Sequence, residues 1–273
     1  MQPLTCKSFA KLNLCLHVLD RRKDGYHNLE SIFCIIDFYD RLSFQKNNST
    51  KINFKTNANE IDSSYNLVTK AYDLISNLYD IGGIDIFLDK KIPIGSGLGG
   101  GSSNAAVTLL ALNDIFKLNI SKDNLLKISR DIGADVPFFI NGGAAYISGK
   151  GEIINNIAID KKYFVIVLPN LNISTKDIYE SLSSKDFMTQ HSLDELMASN
   201  INSFEEIVMS KYPSLKETKY WLSAFGSVRM SGTGSTLYIE YDNYESALEA
   251  NKEIGQKYKS LMVSSLESYD IFS

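Results

Sequence analysis

The chain has 273 residues, of which 44% are hydrophobic and 22% are charged, enough for one large or two medium-sized domains. Its 28 basic and 32 acidic residues give a net charge of −4, which argues against a nucleic-acid binder that works through bulk positive charge. Three cysteines without a CxxC pair favour reduced thiols in a cytoplasm. The N-terminus lacks an apolar signal region, and no apolar run is long enough for a membrane span.

The first predicted element is a strand over residues 6–19, where apolar and polar side chains alternate. Within it, Lys11 and Asn13 point together off the apolar face. An Asp-Gly turn signal follows. The segments DRLSFQ and KINFKT, joined by the polar NNST, then predict a hairpin.

Further along the chain, helical spacing of apolar residues predicts helices over residues 66–80, 103–117 and 121–133. Strands are predicted over 82–93 and 161–170, and a turn and a strand between 134 and 152. In the second half we expect helices near 174–182, 203–211 and 216–225, a strand over 236–242 and a helix over 243–258. The glycine-rich SGKGE before the apolar strand favours two domains, residues 1–155 and 156–273.

A glycine loop precedes one of these helices. In PIGSGLGGGSS, residues 93–103, five of the seven positions from Gly95 to Gly101 are glycine. A Walker A loop would have lysine where Gly101 stands, and the GxGxxG spacing lacks the acidic residue of a dinucleotide fold. Glycines before a helix let backbone N–H groups surround an anion, usually a phosphate. The alternative is a tight strand-to-helix turn with incidental glycines.

The loop and two other blocks resemble the motifs of the GHMP small-molecule kinases. PIGSGLGGGSSNAA is similar to the family's phosphate loop, FAKLNLCLHV to its N-terminal motif and SGTGS to its C-terminal glycine loop. In their order, AKLNL, DGYHNLES, GADVPFF and SGTGS resemble the members that act on a CDP-linked methylerythritol. Those members transfer the γ-phosphate of ATP to its 2-hydroxyl in the non-mevalonate route to isoprenoids.

The resemblance implies an α+β, two-domain GHMP kinase fold. A ribosomal-protein-S5-domain-2-like N-terminal domain would be followed by a ferredoxin-like α/β sandwich domain, with the active site in the cleft between them. It also implies ATP as phosphate donor, Mg²⁺ and a small-molecule acceptor. We expect neither nucleic acid nor membrane as a partner, and a monomer or homodimer.

Two residues carry the expected chemistry. The resemblance places the catalytic aspartate on Asp135 in GADVPFF, as general base, and the catalytic lysine on Lys11. The alternatives are an aspartate that only satisfies turn backbone and a strand lysine that only faces solvent.

The remaining expected contacts divide between the nucleotide and the acceptor. Asn66, at the start of a predicted helix, is either an N-cap, which its position favours, or an ATP contact. The resemblance assigns the other ATP contacts to Pro93, Ile94, Gly95, Ser96, Gly97, Leu98, Gly99, Gly100, Gly101, Ser102 and Ser103. The candidate acceptor contacts are Asn13, Tyr26, His27, Thr175, Tyr179, Gly232, Thr233 and Gly234. Ser103 is also a candidate Mg²⁺ ligand.

Two alternatives stay open at this stage. One is another GHMP kinase that acts on homoserine or mevalonate, for which Tyr26 and His27 would have no nucleobase to hold. The other is an inactive relative that binds a nucleotide. No HxxxH or Cys–His spacing is present, so we do not expect a zinc site at His17 or His191.

Overall fold

The computed structural model describes residues 2–268 and 270–272. Its strands are β1 (Leu4–Arg21), β2 (His27–Lys46), β3 (Ile52–Thr56), β4 (Ile84–Asp89), β5 (Ala144–Ser148), β6 (Ile153–Ile157), β7 (Tyr163–Val167), β8 (Val228–Met230), β9 (Leu237–Tyr241) and β10 (Ser260–Ser264). Its α-helices are α1 (Leu67–Leu78), α2 (Gly100–Ile115), α3 (Lys122–Ser129), α4 (Val136–Asn141), α5 (Thr175–Glu180), α6 (Leu193–Ala198), α7 (Glu205–Lys211), α8 (Pro213–Leu222) and α9 (Tyr244–Ile254).

The first sheet is built on two long antiparallel strands, β1 and β2. Its order is β3-β4-β2-β5-β6, with β1 paired to β2. The predicted hairpin between DRLSFQ and KINFKT is wrong, because β4 lies between β2 and β3 and pairs with both. The alternating Ile84, Ile86 and Leu88 of β4 are buried, which suits a central strand.

Helices α1 and α2 pack against this sheet, and α3 and α4 pack against α2. Helix α2 packs against α1, α4 and β1. Its buried face is made of small and branched apolar residues, such as Ala105, Ala106 and Leu109, which let it approach its neighbours closely. The helix therefore lies at the centre of the first hydrophobic core, and the glycine loop at its start is fixed to that core.

The second sheet has the order β10-β7-β9-β8, and all its pairs are antiparallel. The chain passes from one sheet to the other between Ile157 and Tyr163. After β10 it returns to the first sheet, where Leu266 N–H donates to the Ile35 carbonyl and Lys7 N–H to that of Ile271. The division at residues 155 and 156 stays a prediction.

Several short elements were not predicted. Helix α4 replaces the expected turn, α6 was not foreseen, and β10 follows the last helix. The sequence of α4, VPFFIN, is almost wholly apolar and therefore shows no helical periodicity. Within the described part of the chain, no helix combines the length and apolar character that crossing a membrane requires.

Candidate active site

The glycine loop adopts a backbone that ordinary residues avoid. Gly95, Gly97 and Gly99 have φ angles of 65°, 77° and 69°, in the left-handed region. At Gly97 a Cβ atom would also lie 2.1 Å from the Ser231 carbonyl oxygen, too close for any side chain. These glycines are therefore required by the loop itself, which argues against the view that they are incidental.

Helix α2 begins without the capping that α1 has. Asn66 caps α1, accepting hydrogen bonds from the N–H groups of Val68 and Thr69 at 2.9 and 3.1 Å. Gly99 caps α2 and makes no side-chain capping hydrogen bond, and the first turn contains no acidic residue. Unpaired N–H groups and the helix dipole make such a start suitable for a phosphate.

A second glycine loop, SGTGS at residues 231–235, holds the first one in place. Ser231 Oγ donates to the Gly97 carbonyl at 3.0 Å, and Thr236 N–H donates to that of Ser96 at 3.1 Å. From the other side, Lys11 N–H donates to the Leu98 carbonyl at 3.0 Å. The main chain of β1 and both glycine loops thus meet at one point.

Lys11 is buried, with an exposed fraction of 3%, although lysine is usually a surface residue. Its Nζ donates to Asn13 Oδ1 and lies 4.7 Å from the centre of the Phe33 ring. Burial lowers the pKa of Lys11, and the negative charge of Asp135 opposes that effect. The nearby polar and charged groups therefore favour the charged form of Lys11 against the effect of burial.

Asp135 lies directly before α4, in the same cavity as Lys11. Although it stands at the N-cap position, its side chain makes no capping hydrogen bond with described residues of that helix. A carboxylate at a helix start normally caps it. Its freedom from that role argues against the turn-only alternative and leaves the carboxylate available to accept a proton.

Aromatic side chains form the other end of the site. The ring centres of His27 and Tyr179 are 5.5 Å apart, and those of Tyr179 and Phe204 are 4.6 Å apart. Burial lowers the pKa of His27, with Arg21 adding to the effect, so its imidazole is neutral near pH 7. Tyr26 is 60% exposed, with Lys150 Nζ 4.9 Å from its ring centre.

One cavity of about 1440 Å³ joins these parts. It is larger than the roughly 300–1,000 Å³ of usual ligand pockets, as two substrates would need. The predicted residues that line it are Lys11, Asn13, Tyr26, His27, Asn66, Pro93, Ile94, Gly95, Ser96, Gly97, Leu98, Gly99, Gly100, Gly101, Ser102, Asp135, Thr175, Tyr179, Gly232 and Thr233.

Two predicted residues do not line the cavity. Ser103 is 1% exposed and accepts a hydrogen bond from Ser8 Oγ at 2.8 Å, so its hydroxyl faces the core beneath α2. Gly234 lies against Met230 and Ile173. Ser102, one position earlier than Ser103, is the serine at the start of α2 that lines the cavity.

Comparison with known proteins identifies the family. Residues 66–143 match the model "GHMP kinases N terminal domain", and residues 178–260 match "GHMP kinases C terminal". The chain is a member of the GHMP kinases. Among relatives of this kinase, the "4-diphosphocytidyl-2-C-methyl-D-erythritol kinase" of Hahella chejuensis is 32% identical, covering 100% of this chain and 96% of the relative. The protein of the same name from Francisella philomiragia is 39% identical over 85% of this chain and 86% of its own.

A solved structure gives the same result for this GHMP kinase. The crystal structure of a 4-(cytidine 5'-diphospho)-2C-methyl-D-erythritol kinase matches with a TM-score of 0.83 and 31% identity. The match covers 96% of this chain and 98% of that one. The expected two-part α+β fold of the GHMP kinases is thereby confirmed.

Some residues that shape the site of this GHMP kinase were not predicted. Asp40 fixes the approach to the glycine loop, accepting from the N–H groups of Lys91 and Ile92 at 2.7 and 2.8 Å and from Lys90 Nζ at 2.5 Å. Ser31 Oγ accepts from Asn13 Nδ2 at 3.0 Å and so orients the amide toward Lys11. Ser31 could have been predicted from the pairing of β1 with β2. Asp40 lies beside the approach to the glycine loop only because of the tertiary fold.

Proposed function

We propose that this GHMP kinase transfers the γ-phosphate of ATP to the 2-hydroxyl of 4-(cytidine 5'-diphospho)-2-C-methyl-D-erythritol, a step of the non-mevalonate route to isoprenoids. The observation that supports it most is a single cavity with three parts. An uncapped helix start suits phosphates, Lys11 and Asp135 lie beside it, and a cluster of aromatic rings lies at its far end. The names of the relatives agree with this assignment.

In the proposed reaction, Asp135 accepts the proton of the 2-hydroxyl as its oxygen attacks the γ-phosphorus. The bond from that phosphorus to the bridging oxygen of ADP breaks, and ADP leaves. Phosphoryl transfer depends mostly on positioning and charge neutralisation. Lys11 supports both because its ammonium lies in the same cavity as Asp135 and would stabilise negative charge on the attacking oxygen. Asn13 orients Lys11 through their hydrogen bond.

For the nucleotide, we place the phosphates of ATP at the start of α2 and over the loop from Gly95 to Gly101. Mg²⁺ would enter with ATP, neutralising phosphate charge and using phosphate oxygens as its main ligands. Ser102 is the hydroxyl at the helix start with access to the cavity and is our candidate ligand in place of Ser103.

For the acceptor, we place the cytosine against Tyr26, His27 and Tyr179. A neutral imidazole and flat rings can bond to a base edge and stack on its face. Thr175 begins α5 and Thr233 lies in the second glycine loop, with their hydroxyls 3.0 Å apart. Together with Gly232, they could hold the sugar alcohol or its phosphates. A substrate without a nucleobase, such as homoserine or mevalonate, would leave the aromatic end unused.

The test is ADP release by the purified protein with Mg-ATP and one acceptor at a time. The acceptors are the CDP-linked methylerythritol, free methylerythritol, homoserine and mevalonate. We expect turnover with the first only. Turnover with homoserine or mevalonate would overturn the substrate, and ATP binding without turnover on any acceptor would favour the inactive relative. We also propose a cytoplasmic location, which the three free, buried cysteines support.

A further inference from the structure

Two histidines and a glutamate from separate segments meet outside the lining of the large cavity. His17 of β1 and Glu30 of β2 are register partners, and His191 lies two residues before α6. The side chains of His17 and Glu30 are 1% and 0% exposed, and that of His191 is 25% exposed. Sequence spacing missed this cluster because only strand pairing and the return of a distant segment bring the three residues together.

The distances within the cluster fit metal coordination. His17 Nδ1 is 3.2 Å from His191 Nδ1, and Glu30 Oε1 is 3.3 Å from the first and 3.0 Å from the second. Ligands of a tetrahedral zinc ion, each roughly 2.0–2.1 Å from the metal, lie about 3.3–3.4 Å apart. The three atoms therefore have nearly the spacing of one face of such a tetrahedron.

Hydrogen bonds alone satisfy the two Nδ1 atoms and Glu30 Oε1 less well than a bound cation would. If both imidazoles donate to Glu30 from Nδ1, their two N–H groups face each other across 3.2 Å. If one of them accepts instead, it no longer donates to the buried carboxylate. A cation just above the plane of these atoms, toward the centre of the tetrahedron, would accept a lone pair from all three at once.

Hydrogen bonds from neighbouring groups orient the candidate ligands of the cluster. His17 Nε2 lies 2.8 Å from Ser199 Oγ, so a proton on Nε2 can be donated there, leaving the Nδ1 lone pair free for a metal. The backbone N–H of His191 donates to Glu30 Oε1 at 3.1 Å and fixes the carboxylate. Such outer hydrogen bonds are characteristic of metal-binding histidines and carboxylates.

We propose that His17, Glu30 and His191 form a binding site for a zinc-like divalent transition-metal ion. Two imidazole nitrogens and one carboxylate oxygen are a ligand set that zinc accepts. The partial exposure of His191 leaves a fourth position for water. This site is separate from the Mg²⁺ that accompanies ATP, and it does not depend on the proposed reaction.

The ion would fasten one segment of the second half onto the first sheet. Residues 188–203 run along β1, where Met188 N–H donates to the Val18 carbonyl at 2.8 Å and Leu16 N–H to that of Ile201 at 2.9 Å. Phe187 and Phe204, which flank the segment, contact His27 and Tyr179. A metal at His191 would therefore stabilise the segment that carries part of the aromatic end of the cavity.

The experiment is titration of the chelator-treated protein with Zn²⁺ by calorimetry and with Co²⁺ by visible absorption, without ATP or Mg²⁺. We expect one ion per chain, a four-coordinate Co²⁺ spectrum and a higher melting temperature with Zn²⁺. His191→Gln, at the most exposed ligand, should weaken binding by at least about 10²-fold, and Ser199→Ala by about 10–100-fold. His27→Gln, which removes the remaining histidine, is the matched control and should bind as the wild type does.

Several results would overturn the proposal. They are the lack of stoichiometric Zn²⁺ binding, binding that His191→Gln leaves unchanged, or binding that His27→Gln removes. If His191→Gln fails to fold, Ser199→Ala decides the question, because a site elsewhere would not respond to it.

Discussion

At the scale of single residues, the central feature of the candidate site is a buried lysine, Lys11. Lys11 is almost completely buried, and burial without a partner would favour its neutral form. Asn13, Phe33 and the charge of Asp135 together offset part of the lost hydration. The negative charge of Asp135 therefore favours the charged form of Lys11, and the roles proposed for the two residues depend on that interaction.

The first prediction concerns Asp135. Asp135→Asn should lower kcat by at least about 10²-fold, the usual scale for a general base, because the amide cannot accept the hydroxyl proton. ATP affinity should stay close to wild type, measured by calorimetry with a non-hydrolysable analogue. Near-normal turnover would exclude Asp135 as the base, whereas loss of ATP binding would indicate a structural role.

The second prediction concerns pH. Burial moves the pKa of Lys11 below its usual 10.5. In the proposed reaction the charged form of Lys11 is the active one, so kcat/KM should decline as pH rises through that lowered pKa, below the pH at which an exposed lysine titrates. A pH–rate profile measures this decline. Lys11→Ala should retain little activity and lose the alkaline decline, and a decline that persists in the variant would assign it to another group.

At this scale, the sequence predicted which residues share a face with Lys11 but not that this face is buried. Strand alternation predicted that Lys11 and Asn13 share a face, and the structure joins them by a hydrogen bond. It could not show that the face is buried, because Ser31 and Phe33 come from a different strand. Contacts between strands depend on register, which alternation in one strand does not specify.

At the scale of elements, the start of α2 is the decisive feature. Three alternating glycines with positive φ carry the chain from Pro93 into the helix, and the second loop lies directly against them. Helix α2 itself begins at Gly100, three residues before its predicted start, because Gly100 and Gly101 are already helical. Glycine disfavours helix by propensity, so the tertiary packing of α2 overrides that preference here.

The third prediction compares two glycines of this loop. Gly97→Ala should lower the melting temperature strongly and abolish ATP binding, because its φ is 77° and its Cβ would lie 2.1 Å from the Ser231 carbonyl oxygen. Gly101→Ala is the matched control for stability, since its Cβ would meet Leu67 at 3.4 Å within a helix. Thermal unfolding of both variants checks the prediction, and equal melting temperatures would contradict it.

The predicted hairpin shows why individual strands were easier to predict than the strands with which they pair. Both of its strands exist, within β2 and as β3, but β4 lies between them. A short polar loop favours local pairing. Here Gly83 N–H donates to the Ser49 carbonyl at 2.8 Å and brings the start of β4 beside that loop. Long-range pairing of this kind leaves no signal in local sequence.

At the scale of the whole molecule, the two halves are joined by crossing segments as well as by the cavity. Residues 266–268 and 270–272 return to the first sheet, and the segment around α6 lies on β1. Cys15 packs with Ile32 and Leu196 where that segment meets the sheet. Cys6 belongs to the core of the first half, and Cys34 lies between β1 and β5 in that sheet. The three thiols therefore lie in different parts of the molecule, and the reactivity of each reports on the opening of its own part.

The last prediction uses these thiols. Burial raises the pKa of Cys6 and Cys34 to about 12 and that of Cys15 to about 11, so thiolate is scarce at pH 8. A disulfide reagent should modify the native protein slowly, and all three thiols at once in denaturant. Cys15 should react first, because opening α6 from the sheet exposes it without unfolding a core. In a Cys15→Ala variant the earliest phase should disappear, and a persisting phase would mean that the first core opens before this contact between the halves.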